Sequence, residues 1–278
     1  MLPTMKIGDR EITRLIVGSN PFTGKSHLNE ETNADMKGWF SEDAVFAMLR
    51  RCEEAGINTV QSRGSQPVMG LVDRYRRSGG KMNWLAQSAK SLDAFAGELD
   101  EMMKYDPAGV CVHGELADEL YLNDRLDLLG GLLDQIRAKN VPAGLCAHFP
   151  EVLAYAEEHH LRPDYYMASL YNLSQPDRSH DVNPTGERFE DSDIPKMYAV
   201  IRELSAPTFA LKILGAGRRC ASQEQVKAVF AEAFASMKPG DGVLVGMFDK
   251  YIDQPMLDAQ YAAEAIRQSE GQSNEIGA

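Results

Sequence analysis

The stretch TFALKILGAGRR, Thr208 to Arg219, decides how this chain is read: an apolar run breaks into Gly-x-Gly-Arg, and a helix-like segment follows. Glycines leave backbone amides uncovered and the arginine adds positive charge. A turn of this kind at the end of an α/β barrel strand lies where such folds commonly hold a phosphate. A second apolar run, GVLVGMF over Gly242–Phe248, follows about one helix later and again breaks at a glycine. The pair reads as the last two strands of a (β/α)8 barrel with nucleotide- or phosphate-binding loops, and Gly215, Ala216, Gly217, Arg218 and Gly246 are the candidate contacts. The plainer alternative is that the glycines only permit tight strand-to-helix turns.

Working outward, strand-like runs recur at Leu15–Ser19, Thr59–Ser62, Trp84–Gln87, Gly109–His113, Ala143–His148, Tyr165–Leu170, Phe209–Leu214 and Val243–Met247. Amphipathic segments at Ser41–Ala55, Pro67–Ser78, Leu92–Lys104, Asn123–Lys139, Pro150–His159, Ile194–Leu204, Gln223–Met237 and Gln254–Gln268 alternate with them. Eight βα units in alternation imply a parallel sheet closed into a (β/α)8 TIM barrel, one domain over residues 1–268. Ahead of it, Met5–Ile12 reads as a β-hairpin turning at Gly8-Asp9 that plugs the amino-terminal end of the barrel. Two connections, 20–40 and 174–193, exceed ordinary loop length and sit on the carboxyl-end face, where barrel active sites are built. The second carries Arg178, His180, Asp181 and Arg188 and reads as a substrate lid, with a solvated excursion as the alternative. Residues 269–278 read as an unstructured tail.

The chain has 278 residues, 44% of them apolar, enough for one large core. Its 41 acidic and 29 basic residues give a net charge of −12, which argues against nucleic-acid or anionic-membrane partners and for a small-molecule substrate. Cys52, Cys111, Cys146 and Cys220 show no CxxC pairing and read as reduced thiols. No apolar run approaches the ~18 residues that span a bilayer, and the N-terminus lacks signal-peptide order, so a cytoplasmic location is expected. Oligomeric state is left open.

Six segments in order carry a family resemblance: KIGDREITRLIVGSNPFTG, EEAGINTVQSRG, GVCVHG, SLYNLS, LKILGAGR and VLVGMFDKYIDQPMLD. Together they resemble the aldo/keto reductase superfamily, from its amino-terminal hairpin through its fourth-strand histidine to its seventh- and eighth-strand cofactor loops. The resemblance implies the barrel, a small carbonyl or sugar-like substrate, an NADP cofactor, and Lys250 as a contact for the 2′-phosphate. That family reduces carbonyls with an Asp, a Tyr, a Lys and a His. Here His113 keeps the histidine position, whereas Gln61 stands for the aspartate, Gln87 for the lysine, and the loop SRGSQPVMG holds no tyrosine. Ala147 and Ala168 replace the residues that clasp the nicotinamide amide. The departures put oxidoreductase chemistry in doubt, because a fold does not specify a reaction.

Other chemistry is open to the same residues. His113 and His148 end adjacent strands, which lie about 4.8 Å apart, so they are candidates for an acid/base pair or for ligands of a divalent metal. This alternative is a nicotinamide-independent lyase, isomerase or epimerase. A non-catalytic ligand-binding barrel is the third. Gln61, Arg63 and Gln87 are candidate catalytic or orienting groups, and Asn20, His27, Asn172, Arg178 and His180 are candidate substrate contacts. Lys212, inside a strand, is weighed as a Schiff-base nucleophile against a structural role, since the resembled family often has a lysine there. An unperturbed imidazole at His113 would titrate near pH 6.5.

Overall fold

Alternate residues along each barrel strand sort into two apolar populations, and that alternation closes the sheet. Ile16, Leu85, Cys111, Cys146, Tyr165, Met167 and Phe209 share one cluster inside the barrel. Val17, Val60, Trp84, Val110, Val112, Leu145, Tyr166 and Val243 belong to the other, packed beneath the helices. Strands with both faces buried need apolar side chains on both, which is why these runs read as continuous hydrophobic blocks.

The structure is a computed structural model that describes residues 2–178 and 187–276. A hairpin of β1 (Thr4–Ile7) and β2 (Arg10–Thr13) precedes eight parallel strands: β3 (Leu15–Gly18), β4 (Thr59–Arg63), β5 (Asn83–Gln87), β6 (Gly109–Val112), β7 (Ala143–Ala147), β8 (Tyr165–Ser169), β9 (Thr208–Leu211) and β10 (Gly242–Gly246). They close in sequence order, β10 pairing with β3, into a (β/α)8 barrel. Met5, Ile7 and Ile12 of the hairpin join the interior cluster. Close approaches of Gly8 to Pro142 and of Gly242 to Met5 fix the hairpin at the strands' amino-terminal end.

Tyr165 forms the floor of the barrel. A Cβ on Gly144 would come within 2.6 Å of its ring, so glycine at this position lets the ring lie across the interior. The helices are α1 (Glu30–Trp39), α2 (Glu42–Glu54), α3 (Val68–Arg77), α4 (Leu92–Met102), α5 (Gly114–Leu122), α6 (Leu129–Arg137), α7 (Pro150–Glu158), α8 (Asp193–Glu203), α9 (Gln223–Ser236) and α10 (Gln254–Ile276). Ser41 and Ser222 cap α2 and α9 through bonds from Ala44 N and Gln225 N, as their positions in the sequence suggest.

Three expectations are corrected. The connection 20–40 contains a helix, α1, capped by Asn29, whose side chain accepts from Thr32 N. The segment expected to be one helix over Asn123–Lys139 starts only at Leu129, because Asp124 takes φ +52 in a turn, while α5 begins directly after β6. The chain beyond residue 268 is helical to Ile276, and Glu270 of that helix pairs with Arg14, whose side chain is 4% exposed. A buried guanidinium needs such a partner, and this gives the last turns of α10 a tertiary anchor.

Candidate active site

The carboxyl ends of β6 to β9 bring four polar side chains to one place. His113 and His148 follow β6 and β7 and continue the inward-facing positions of Cys111 and Cys146. Ser169 ends β8. Lys212 follows β9, where the strand stops earlier than its apolar pattern suggests because Lys212 takes φ +61. Left-handed backbone at a non-glycine residue costs on the order of 1–3 kcal/mol and concentrates at functional sites.

His148 is the centre of this group. Its Nδ1 lies 2.7 Å from Asp118 Oδ2, and its Nε2 lies 3.2 Å from Lys212 Nζ. Asp118, 1% exposed on α5, also accepts from His148 N at 3.1 Å and from Ser174 Oγ at 2.7 Å. With Phe149 N, which donates at 3.3 Å, four donors converge on this buried carboxylate and hold it in place. The carboxylate in turn assigns the proton of His148 to Nδ1 and leaves Nε2 as the acceptor toward Lys212. Lys212 Nζ makes a second contact of 3.3 Å with Ser169 Oγ. Lys212 is partly exposed, yet burial lowers its pKa from the usual lysine value, outweighing the opposing charges of Cys146, Glu187 and Asp118. The arrangement is a proton path from a lysine through an imidazole to a carboxylate.

His113 has a different character. It caps α5, its Nδ1 accepting from Glu115 N at 3.1 Å, and its own amide donates to Ser88 Oγ at 3.0 Å. Burial pushes its pKa down to about 3. The expectation of an imidazole titrating near neutrality is therefore corrected: His113 is neutral, and with Nδ1 used as an acceptor it carries its proton on Nε2 as a hydrogen-bond donor. Lys90, which follows β5, is held at the rim by Glu115 at 2.6 Å.

Gln61 and Asn172 each bury a polar atom without a partner among the described residues, Gln61 Nε2 and Asn172 Oδ1. A buried unmet donor or acceptor costs about 1–3 kcal/mol, so both side chains have hydrogen-bonding capacity left over. Gln87 ends β5 beside the Cys111 thiol. Arg63 ends β4 but its guanidinium is committed to Glu98 at 3.1 Å.

The groups expected to grip an anion are engaged elsewhere. Gly215 N and Gly217 N donate to Lys212 O and Leu214 O, and Arg218 N to Gly215 O, within a single 3-10 turn rather than at the head of a helix. Ala216 at φ +54 completes that turn. This corrects the picture of a turn with free amides. Arg218 stacks on Phe189 at 3.9 Å and donates to His27 O and Glu187 O, while Arg219 pairs with Glu232 at 2.5 Å. Lys250 pairs with Asp35 of α1, and Gly246, at the end of β10, packs against Pro21.

His27 Nδ1 meets Glu187 Oε2 at 2.6 Å, and its Nε2 meets Asn20 Nδ2 at 3.1 Å. The two long connections are thereby latched together over the β9 end, with Arg218 as the third member. Arg178 is anchored to Asp193 at the start of α8, leaving its Nε without a partner. His180 and Asp181 lie outside the described residues. Among the described residues no group of three His, Cys, Asp or Glu is arranged to hold a metal ion. The surface cleft lined by Asp191, Tyr198, Arg219 and Glu232 contains no member of the His148 centre, so chemistry rather than concavity locates this site.

Asp118, Ser169, Ser174 and Glu187 were not singled out from the sequence. Asp118 sits in GELADELYL, a run outside the helices expected from the sequence. The available signal was its place four residues after Gly114 and next to Ala117, on the buried stripe of α5.

No protein-family model and no curated protein matches the chain. Its fold is that of several barrels. It superposes on an aldo-keto reductase from Bacillus halodurans with a TM-score of 0.56 and 10% identity, covering 97% of this chain and 96% of that one. A truncated 3-deoxy-D-arabino-heptulosonate 7-phosphate synthase from Thermotoga maritima gives 0.55 and 13%, over 99% and 94%. A 3-hexulose-6-phosphate synthase from Salmonella typhimurium gives 0.55 and 13%, over 92% and 99%. At these identities the likeness establishes the (β/α)8 fold, and membership of the reductase family does not follow from it. No helix among the described residues is long and apolar enough to cross a membrane.

Proposed function

We propose that this chain is a nicotinamide-independent enzyme of the lyase or isomerase type, acting on a small hydroxy-carbonyl or sugar-like compound at the carboxyl-end mouth. The observation that carries the reading is the Asp118–His148–Lys212 path, which couples a lysine of lowered pKa to an oriented imidazole. Such a pair moves a proton to or from a carbon or hydroxyl beside a carbonyl, the step shared by enolisation, epimerisation and aldol cleavage. Neutral His113, fixed by the first turn of α5, donates Nε2–H to the carbonyl oxygen as negative charge develops there. Gln61 and Asn172 supply unused polar atoms for the remaining hydroxyls. The barrels it superposes on include two named synthases, which is compatible with carbon–carbon chemistry in this fold.

The competing reading is an NADP-linked reduction, favoured by the order of the reductase-like segments. It would require Lys250 to leave Asp35 and Arg218 to leave Phe189. A metal-assisted variant would require His148 to give up Lys212. To test the main reading, a panel of aldoses, ketoses and their phosphates is incubated with the protein in D2O without nucleotide. Loss of the proton α to the carbonyl, followed by NMR, is the expected result. Absence of exchange across the panel, with NADPH consumed by a carbonyl substrate, would replace this reading by the reductase one.

A further inference from the structure

We infer that Lys212 is a covalent centre, its Nζ condensing with the substrate's carbonyl carbon to an imine through which the bond-making and bond-breaking steps run. The inference deepens the proposed function and rests on it. Three features of the chain point to this lysine. First, Lys90 and Lys250 sit near the rim as ammonium groups facing carboxylates, Glu115 and Asp35. Among the described residues Lys212 has no carboxylate partner, and its hydrogen-bonding neighbours are an imidazole nitrogen and a hydroxyl. Glu187, Asp118 and Glu115 act on this ammonium without an ion-pair contact, burial outweighs them, and the adjacent Nε2 can receive its proton. Second, the left-handed backbone at Lys212 ends β9 and departs from the strand alternation that Phe209 and Leu211 follow. Third, the amine lies at the edge of the barrel interior, where burial disfavours the charged form.

The step balances without an oxidant or a reductant. Lys212 passes a proton to His148 Nε2, and the imidazolium so formed is held by Asp118. The free amine pair attacks the carbonyl carbon; the C–N bond forms as the C=O π pair moves to oxygen, which takes the proton that the nitrogen sheds. The resulting carbinolamine expels its hydroxyl as water, the proton coming from His148, and the nitrogen pair closes the C=N bond. The protonated imine then accepts electrons from the neighbouring carbon. A proton leaves the α-carbon to His148 Nε2, or a Cα–Cβ bond breaks as the β-hydroxyl gives its proton to the same Nε2. Water adds to the C=N bond to release product and amine. Ser169 Oγ, within 3.3 Å of Nζ, is placed to hold the departing or entering water.

The test uses the full chain with four probe carbonyls, pyruvate, dihydroxyacetone, glyceraldehyde and glycolaldehyde, in the presence of sodium cyanoborohydride. Intact-mass analysis is expected to show one reduced adduct per chain, and peptide mapping to place it on Lys212 at least tenfold faster than on any other lysine. Lys212→Arg and Lys212→Met should lose that adduct, and mapping of the wild type gives the answer even if a variant fails to fold. Labelling spread evenly over surface lysines, or no adduct at Lys212 with any probe, overturns the covalent step. Solvent exchange of α-protons, measured on the substrate panel with the same protein, separates the two levels of the argument. Exchange without trapping leaves the acid/base reading standing and removes the imine, whereas loss of both removes the proposed function itself.

Discussion

The two histidines that close neighbouring strands have opposite duties, and their surroundings set the difference. His148 is oriented by a carboxylate and faces an amine; His113 is dehydrated and caps a helix. Replacing His148 with Gln is expected to lower the α-proton exchange rate by about 10²–10⁴, the usual worth of a positioned acid/base group. Asp118→Asn should cost a comparable factor, because an amide would no longer fix the Nδ1–H tautomer, and circular dichroism should show the fold retained. His113 yields a prediction about stability. Its pKa falls from 6.5 unfolded to about 3 folded, so between these values the unfolded chain binds more protons and stability drops as the pH is lowered. The loss approaches about 1.4 kcal/mol per pH unit inside that window. Buried Asp258 acts in the opposite sense, its pKa raised by burial to about 7, so the comparison of interest is wild type against His113→Gln. Denaturant unfolding from pH 7 to pH 4 should show a shallower acid-side decline in the variant, and parallel curves would contradict a buried neutral His113. His113 was legible from the sequence because a strand end exposes its residue type and parity. Its neutrality was not, since that follows from burial, which only the packed structure shows.

At the level of elements, the site depends on where strands stop. The run TFALKIL predicts a strand to Leu214, yet β9 ends at Leu211 and the turn satisfies its own amides. Apolar pattern marks burial, and burial continues past the last ladder bond, so the pattern overruns the strand. Arg218 and Arg219 suggested an anion seat; in the structure Arg218 stacks on Phe189 and Arg219 pairs with Glu232 of the following helix. The latch joining His27, Glu187 and Arg218 should be separable from the chemistry. Arg218→Ala removes a cation–π contact worth about 0.5–2 kcal/mol. It is expected to raise hydrogen exchange in residues 20–28 and 187–190 while leaving the barrel strands protected. Unchanged exchange there would show that the two connections are held by other contacts. Helix α10 extends the ordered chain beyond residue 268, and Glu270→Ala should lower the unfolding free energy by about 1–2 kcal/mol through the buried Arg14 it strands.

Across the whole molecule, the closed barrel gives the site its floor. Tyr165 crosses the interior because Gly109 and Gly144 leave room for it, so Gly144→Ala should destabilise the fold by about 1–3 kcal/mol of overpacking, read as a lower denaturant midpoint. The barrel itself was legible in the chain, since eight runs with both faces apolar alternate with amphipathic segments. The chemistry was legible only in part. His148 and Lys212 were candidates in isolation, but residues 118, 148 and 212 meet only because α5 folds back over β7. In GELADELYL only helical position, four residues after Gly114 on the buried stripe, separates Asp118 from the exposed acids beside it. In the proposed function this Asp–His–Lys unit performs carbonyl chemistry without a nicotinamide. The most direct measurement is solvent deuterium exchange at the substrate α-carbon, compared between wild type, His148→Gln and Lys212→Met, with and without NADPH. The account predicts exchange in the wild type that is independent of NADPH and lost in both variants. Exchange that persists in Lys212→Met, or turnover that appears only when NADPH is added, would contradict it.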